Sequence, residues 1–223
     1  MQCLVCANGT SSFIDERFSV TFHACPACEL IFRDRADLLG PDAEKAEYDL
    51  HENSIEDRGY VDFLRRFLDA AVVPFCPSLP SDLKALDFGS GPAPVLAALM
   101  ARDYGWNMEI YDPYYAPKRI FEGKKYHLVT CTEVVEHVRE PLATFRKLAT
   151  LLAPGGVLAV MTLFHQNDQA RFLNWHYSRD PTHVAFYTPR TMQTLAGLCG
   201  LELIFCNRRE YTTFRRNPAA ASA

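Results

Sequence analysis

Eight cysteines stand in the 223-residue chain, and four of them form two pairs of identical spacing. Two residues separate Cys3 from Cys6 and Cys25 from Cys28, and 18 residues lie between the pairs. Two such turns allow four thiolates to converge on one tetrahedral ion, which is the ligand set of a closed structural Zn²⁺ site. Two disulfides or four incidental core thiols are the alternatives. In a reducing compartment the spacing favours zinc.

The stretch LDFGSGPAPVL is an apolar run that ends in Asp87, breaks at two glycines and resumes as a helix-forming sequence. A dinucleotide fingerprint requires G-x-G-x-x-G, and counting from Gly89 and Gly91 the third position is Pro94. The dinucleotide interpretation therefore fails. A carboxylate at position 87 accepts from backbone amides or from a cationic amino group, which suits a cofactor that carries an amino acid. A plain tight turn is the alternative.

A second acid ends the following strand-like run, in the sequence Tyr111-Asp112-Pro113. One βα unit after the glycine turn, an acid at this point is placed to accept hydrogen bonds from the two hydroxyls of an adenosine ribose. Asp112 alone is equally compatible with capping the next turn. Further along the chain, CTEVVEHV places Glu133, Glu136 and His137 just past a buried strand.

The elements that must position these residues alternate between strand and helix along most of the chain. KALDFG, NMEIYDP, YHLVTCTEV, VLAVMTLF, LELIFC and YTTF are strand-like, and PVLAALMARDYG, PLATFRKLATLLAPGG and TPRTMQTLAGLCG are helix-like. Such alternation predicts an α/β fold with a doubly wound, mostly parallel sheet, helices on both faces and ligands at the carboxyl ends of the strands. FSVTFHACPACELIF predicts a small hairpin between the cysteine pairs, and His23 within it is interpreted as structural.

In order and spacing, the motifs LDFGSG, YDP, LVTCTEVVEHV and LLAPGGVLAVMT resemble those of class I S-adenosylmethionine-dependent methyltransferases. The resemblance covers residues 84–206. The cysteine pairs and the segment WHYSRDPTHVAFYTP extend it to a bacterial group with an N-terminal zinc module, similar in architecture to sugar-nucleotide C-methyltransferases. It implies a Rossmann-like, seven-stranded sheet, a small zinc-ribbon-like module, methyltransferase activity and S-adenosylmethionine as cofactor.

The resemblance also assigns roles to particular residues. It implies that the methionine part of the cofactor is bound by Asp87, Gly89, Ser90 and Gly91. The ribose hydroxyls are expected to contact Asp112, next to Pro113, and the sulfonium side is expected to contact Thr132 and Glu133. Two features depart from the family pattern. Ala93 stands where a third glycine is common, and only about fourteen residues separate Asp112 from the strand near residue 127.

Methyl transfer requires a positioned acceptor and, where the acceptor begins protonated, a base. We expect the polar, aromatic segment 165–187 to form the acceptor side. His183 is the first candidate for the base, His176 the second and His137 the third, because a neutral imidazole titrates near physiological pH. A structural, hydrogen-bonded histidine is the alternative in each case.

Residues just before the main sheet carry two interpretations. Tyr48 and His51 are placed to fold over the cofactor as a lid that excludes water. Alternatively, Asn53 or Ser54 caps the amphipathic helix predicted over residues 54–73, with Tyr60 in the core.

The function classes follow from charge and composition. The net charge is −4, and residues 1–50 hold four Lys or Arg against nine Asp or Glu, so a nucleic-acid partner is disfavoured.

Neither a secretory signal nor an 18-residue apolar run is present, so we expect a cytoplasmic protein without a membrane span. We predict a zinc-binding module over residues 1–50, a helix and linker over 51–80, and a methyltransferase domain over 81–223. A small-molecule methyl acceptor is favoured over RNA or a non-catalytic adaptor role, and the oligomeric state is left open.

Overall fold

A computed structural model describes residues 1–50, 53–76 and 83–217 of the chain. Within these ranges, no helix is both long enough and apolar enough to cross a membrane.

The N-terminal segment forms a small antiparallel sheet. Its strands are β1 (Ser11–Asp15), β2 (Val20–Ala24) and β3 (Ile31–Arg33). The pairing of β2 with β3 across the second cysteine turn confirms the predicted hairpin. A fourth strand comes from far along the chain, because β8 (Ala185–Phe186) pairs antiparallel with β3. The segment therefore shares a sheet with the part of the chain predicted to hold the acceptor.

Two helices connect this sheet to the main domain. They are α1 (Pro41–Tyr48) and α2 (Arg58–Phe67), and α2 continues through a wider π-turn over Leu68–Val72. The predicted amphipathic helix is confirmed, since Leu64 and Phe67 of its apolar stripe are buried. Its cap differs from the prediction. Asp57, rather than Asn53 or Ser54, caps the helix by accepting from the amides of Gly59 and Tyr60.

The main domain alternates strands and helices as the sequence predicts. Its elements, besides β8, are β4 (Ala85–Phe88), α3 (Val95–Tyr104), β5 (Met108–Tyr111), β6 (Tyr126–Thr132), α4 (Pro141–Leu151), β7 (Leu152–Met161), α5 (Gln169–Asn174), α6 (Pro189–Cys199), β9 (Leu201–Cys206) and β10 (Tyr211–Arg216). Gly105 and Gly200 end α3 and α6 in the left-handed conformation, and Thr188 caps α6. Strand β7 begins at Leu152, earlier than the Pro-Gly-Gly sequence suggests.

Within the described residues, the main sheet has six strands in the order β5-β4-β6-β7-β10-β9. Strands β5, β4, β6 and β7 are parallel, and β10 runs antiparallel to both of its neighbours. The expectation of seven strands is wrong. Residues 113–125 hold only turns and a bridge between Asp112 and Ala116, because the segment between β5 and β6 is too short for a helix and a further strand.

Candidate active site

A cavity of about 590 Å³ opens at the carboxyl ends of β4, β5 and β6. This is the edge at which parallel α/β sheets place their ligands. All eight residues predicted to contact the cofactor line it, namely Asp87, Gly89, Ser90, Gly91, Asp112, Pro113, Thr132 and Glu133. His137 and His183 line the same cavity. The topology thus brings the predicted cofactor residues and two of the three candidate histidines to one cavity.

The glycine turn after β4 is a tight connection with a specific steric requirement. Gly89 has φ +89° and Gly91 has φ +66°, both in the left-handed region. The amides of Gly89 and Ser90 donate to the backbone oxygen of Tyr111 over 2.7 and 3.1 Å. A Cβ at position 89 would lie 2.2 Å from Cγ2 of Val134. Glycine at position 89 therefore allows the turn to approach the wall after β6.

Asp112 organises the loops around the cavity. Its Oδ2 accepts from the amide of Gly91 over 3.0 Å, and its Oδ1 accepts from the amides of Tyr114 and Tyr115 over 2.9 and 3.0 Å. A carboxylate offers about four acceptor positions, so these three bonds leave about one for a ligand. Asp112 thus combines the turn-capping interpretation with a position on the cavity wall.

Asp87 lies at the floor of the cavity and is 2% exposed. Its Oδ1 accepts from Oγ1 of Thr130 over 2.8 Å. Burial raises the pKa of Asp87 to about 6, and the nearby charge of Asp112 contributes in the same direction. A cationic group bound beside Asp87 would favour its ionised form.

Glu133 follows β6 in a strained backbone conformation, with φ +51°. Its amide donates to the backbone oxygen of Met161 over 2.9 Å, which fixes the residue between two strand ends. Burial raises the pKa of Glu133 well above its usual range, and the charge of Glu136 adds to this shift. Burial therefore favours the neutral form of Glu133.

Tyr177 was missed by the sequence reasoning, although it lies within the expected acceptor segment. Its hydroxyl donates to Oε1 of Glu136 over 2.5 Å and lies 3.4 Å from Oε2 of Glu133. Glu136, noticed in the sequence without a role, is fully buried beneath the cavity wall. The aromatic lining from Tyr114 and Tyr115 was also not predicted, since a turn sequence carries no period that reveals its orientation.

The three candidate histidines occupy different positions. The rings of His137 and His183 lie 4.7 Å apart on the main cavity, and burial lowers the pKa of His183, which keeps it neutral. His176 is exposed and lies instead on a neighbouring cavity of about 770 Å³. Glu133 lines both cavities.

The predicted lid residues lie partly within the described chain. Tyr48, Asn53 and Tyr60 line the main cavity, and the ring of Tyr48 packs edge-on against His137 with centroids 5.2 Å apart. The hydroxyl of Tyr48 donates to Oε1 of Glu44 over 2.8 Å. His51 lies outside the described residues. Helix α1 therefore brings an aromatic side chain over the histidine side of the cavity.

The four paired cysteines converge in the N-terminal module. The Sγ atoms of Cys3 and Cys28 lie 3.5 Å apart, those of Cys6 and Cys25 lie 3.4 Å apart, and all four lie within 4.8 Å of one another. A disulfide requires a sulfur–sulfur distance near 2.05 Å, so the cysteines are free thiols.

His23, close in sequence to the second cysteine pair, is not part of this cluster. Its Nε2 lies 2.7 Å from Oδ2 of Asp34, in agreement with the structural role expected for it.

Comparison with known proteins gives a family match over most of the main domain. Residues 60–204 match the family model described as a methyltransferase domain. The ubiquinone biosynthesis O-methyltransferase of Aliivibrio fischeri (strain MJ11) is 34% identical over 83 residues, which are 37% of this chain and 35% of that protein. The protein of the same name from Xanthomonas campestris pv. campestris (strain B100) is 57% identical over 35 residues, which are 16% of this chain and 15% of that protein.

The chain thus spans about a third or less of the length of these curated relatives. A solved structure described as a candidate sarcosine dimethylglycine methyltransferase from Galdieria sulphuraria superposes with a TM-score of 0.50 at 13% identity. The superposition covers 79% of this chain and 99% of the chain of the compared structure, which supports the assignment of the fold.

Proposed function

Because this chain belongs to the methyltransferase-domain family, we propose that it transfers a methyl group from S-adenosylmethionine to a small-molecule acceptor. The observation that carries the proposal is the meeting of all eight predicted cofactor residues with His137 and His183 on one cavity.

The lining residues fit the cofactor in charge and in shape. S-adenosylmethionine supplies a methyl group on a positively charged sulfonium sulfur. Gly89 leaves open a turn that a Cβ would close, and the buried carboxyl of Asp87 lies below it to accept the cofactor's amino group. Asp112 holds the loop amides, and its remaining acceptor position would accept from the ribose hydroxyls. Thr132 and Glu133 line the sulfonium side.

The histidine side of the cavity is assigned to the acceptor. Nδ1 of His183 lies 2.8 Å from the backbone oxygen of Tyr177, so this nitrogen carries the proton and Nε2 remains free to accept one. His183 is therefore retained as the first candidate for the base. His176, on the neighbouring cavity that Glu133 also lines, remains the second candidate, and His137 is the third.

The charge of the N-terminal segment favours a small-molecule acceptor over a nucleic acid. Residues 1–50 carry five more acidic than basic residues, and a module of that sign repels a phosphate backbone. The curated relatives are named O-methyltransferases, so small hydroxylated compounds are the first acceptors to screen, followed by sugar nucleotides.

The proposed second ligand is a structural Zn²⁺ held by Cys3, Cys6, Cys25 and Cys28. A tetrahedral Zn²⁺ with bonds of about 2.3 Å requires sulfur–sulfur distances of about 3.8 Å. The Cys3–Cys28 and Cys6–Cys25 distances of 3.5 and 3.4 Å are slightly below that value. Cys3 and Cys28 share a hydrogen bond, and a cation bound among the four sulfurs would favour their thiolate forms.

Calorimetric titration with S-adenosylhomocysteine, with NAD as the control ligand, tests the cofactor assignment. Saturable binding of S-adenosylhomocysteine alone is expected. The Asp112→Ala variant should bind it at least tenfold more weakly, whereas Asp62→Ala, an exposed change on α2, should bind it as the wild type does. Absence of binding to the wild-type protein would refute the proposal and favour an adaptor role. Salt-sensitive binding of RNA would favour an RNA acceptor instead.

A further inference from the structure

Two segments that are distant in sequence bring three potential metal ligands together beside the cavity. His137 and His183 line the cavity, and Glu136 is fully buried next to them. A carboxylate oxygen of Glu136 and one ring nitrogen each of His137 and His183 lie within 4.8 Å of one another. Hydrogen bonds hold the two segments in register. The amide of Val184 donates to the backbone oxygen of Glu136 over 2.8 Å. The hydroxyl of Tyr187 donates to the backbone oxygen of Val135 over 2.7 Å.

Both histidines are oriented by backbone carbonyls. Nδ1 of His137 lies 3.0 Å from the oxygen of Thr182, and Nδ1 of His183 lies 2.8 Å from that of Tyr177. A carbonyl oxygen only accepts, so each Nδ1 carries hydrogen and each Nε2 keeps its lone pair. Histidines that ligate metals are typically fixed in this way by a carbonyl on the opposite nitrogen.

Glu136 supplies an independent indication of a ligand. The residue is fully buried, and its Oε1 accepts from the hydroxyl of Tyr177. Its Oε2 is buried and has no hydrogen-bond partner among the described residues. A buried carboxylate oxygen without a hydrogen-bond partner is unfavourable, and a cation at this position would supply the missing partner.

An additional oxygen donor lies beside the cluster. Oδ2 of Asp180 lies 3.7 Å from Nε2 of His183, and Asp180 lines the cavity. Its Oδ1 accepts from the amide and the hydroxyl of Thr182, which fixes the carboxylate. The cluster therefore presents two nitrogen donors and one or two oxygen donors from a rigid frame.

We propose that Glu136, His137 and His183 bind a divalent transition-metal cation that orients and activates a hydroxyl of the acceptor. Two histidines and one carboxylate leave open coordination positions, and a bound cation lowers the pKa of a hydroxyl group that coordinates it. The inference rests on the proposed function and narrows its acceptor to a hydroxylated compound.

The transfer step balances without a further reactant. The coordinated hydroxyl releases its proton to water, and its oxygen forms the new bond to the methyl carbon. The sulfur–methyl bond breaks with its electron pair remaining on sulfur, so the products are a methyl ether, S-adenosylhomocysteine and a proton. In this arrangement Nε2 of His183 is a ligand rather than a base, and the two roles exclude each other.

The test is a Co²⁺ titration of the full-length, zinc-loaded protein, monitored by visible absorption. Co²⁺ on nitrogen and oxygen ligands gives visible bands without the near-ultraviolet charge-transfer band of a thiolate site, so the cysteine cluster does not interfere. One Co²⁺ per chain should bind with these bands. The His183→Ala and Glu136→Gln variants should bind it at least tenfold more weakly, and His176→Ala, an exposed histidine outside the cluster, should match the wild type.

Circular dichroism and calorimetric binding of S-adenosylhomocysteine should be measured on each variant. The near-isosteric Glu136→Gln keeps the test valid if His183→Ala fails to fold. Failure of the wild type to bind Co²⁺, or equal binding by Glu136→Gln, would overturn the inference. If S-adenosylhomocysteine still binds in that case, the proposed function stands and His183 returns to the role of base.

Discussion

Nε of Arg33, at the end of β3, donates to the backbone oxygen of His183 over 3.2 Å. Nη2 of the same guanidinium donates to the oxygens of Asp180 and Ser178 over 2.9 and 3.4 Å. Arg33 is 6% exposed. The N-terminal module is thus bonded directly to the loop that presents His183, in addition to sharing a sheet with β8. We infer that one role of the module is to fix the acceptor side of the cavity.

The Arg33→Met variant keeps the length of the side chain and removes the three donated bonds. A buried carbonyl that loses its partner is less favourable by about 1–3 kcal/mol, so we expect the free energy of unfolding to fall by at least that amount. Denaturant unfolding measures it. Binding of S-adenosylhomocysteine to the folded variant should remain, because the glycine turn lies elsewhere. Arg35→Met, which breaks an exposed ion pair with Glu140, is the control and should change stability by less than about 1 kcal/mol. Equal losses in both variants would contradict the assigned role.

The Gly89→Ala variant should lose binding of S-adenosylhomocysteine by at least tenfold. Its Cβ would collide with Val134, and a non-glycine residue at φ +89° is strained. Calorimetry measures the binding. The double variant Gly89→Ala, Val134→Ala removes the colliding atoms and should recover part of the affinity. Gly91→Ala has open space around its Cβ and is the stability control, with an expected loss of about 1 kcal/mol. Unchanged binding in Gly89→Ala would refute the steric argument.

Affinity for S-adenosylhomocysteine should fall as the pH decreases through 6. The pKa of Asp87 is raised to about 6, so its carboxyl is mostly ionised at pH 7 and mostly neutral at pH 5. Loss of the negative charge removes the attraction for the ligand's amino group, and the affinity should decrease about tenfold over this interval. Calorimetry at several pH values checks it. The Asp87→Asn variant should bind weakly with little pH dependence, and a wild-type profile flat from pH 7 to 5 would be inconsistent with this role.

The purified protein should contain one Zn²⁺ per chain, measured by elemental analysis. The Cys25→Ser variant should lose the metal and unfold at a lower temperature, because a structural Zn²⁺ contributes folding free energy directly. The loss should extend beyond the module, since β3 pairs with β8 of the main domain. The matched variant Cys206→Ser changes an unpaired, half-buried cysteine on β9 and should retain the zinc. Zinc retained in Cys25→Ser, or lost equally in both, would refute the four-cysteine site.

The alternation of strands and helices could be predicted from the sequence, because the spacing of apolar residues and the residues that begin and end each element indicate the same boundaries. The runs around Leu86 and Val129 are too apolar for an exposed strand, and Thr188 and Gly200 mark the ends of α6 in the sequence itself. The seventh strand was expected from the resemblance alone. The short segment between Asp112 and Tyr126 already carried the contrary information, since fourteen residues or fewer cannot form a crossover helix and a strand.

The sequence by itself determined the order of the elements, the cysteine pairs, the glycine turn and the acids that follow β4 and β5. These are local features, because spacing along a strand, turn or cap sets them. Only the tertiary structure decided that Glu136 meets His137 and His183, that Arg33 reaches the loop that carries His183, and that His176 lies on another cavity. Such contacts join segments up to 150 residues apart. They depend on the pairing of β8 with β3 and on the packing of the strand ends. The spacing of apolar residues along the chain does not indicate either of these.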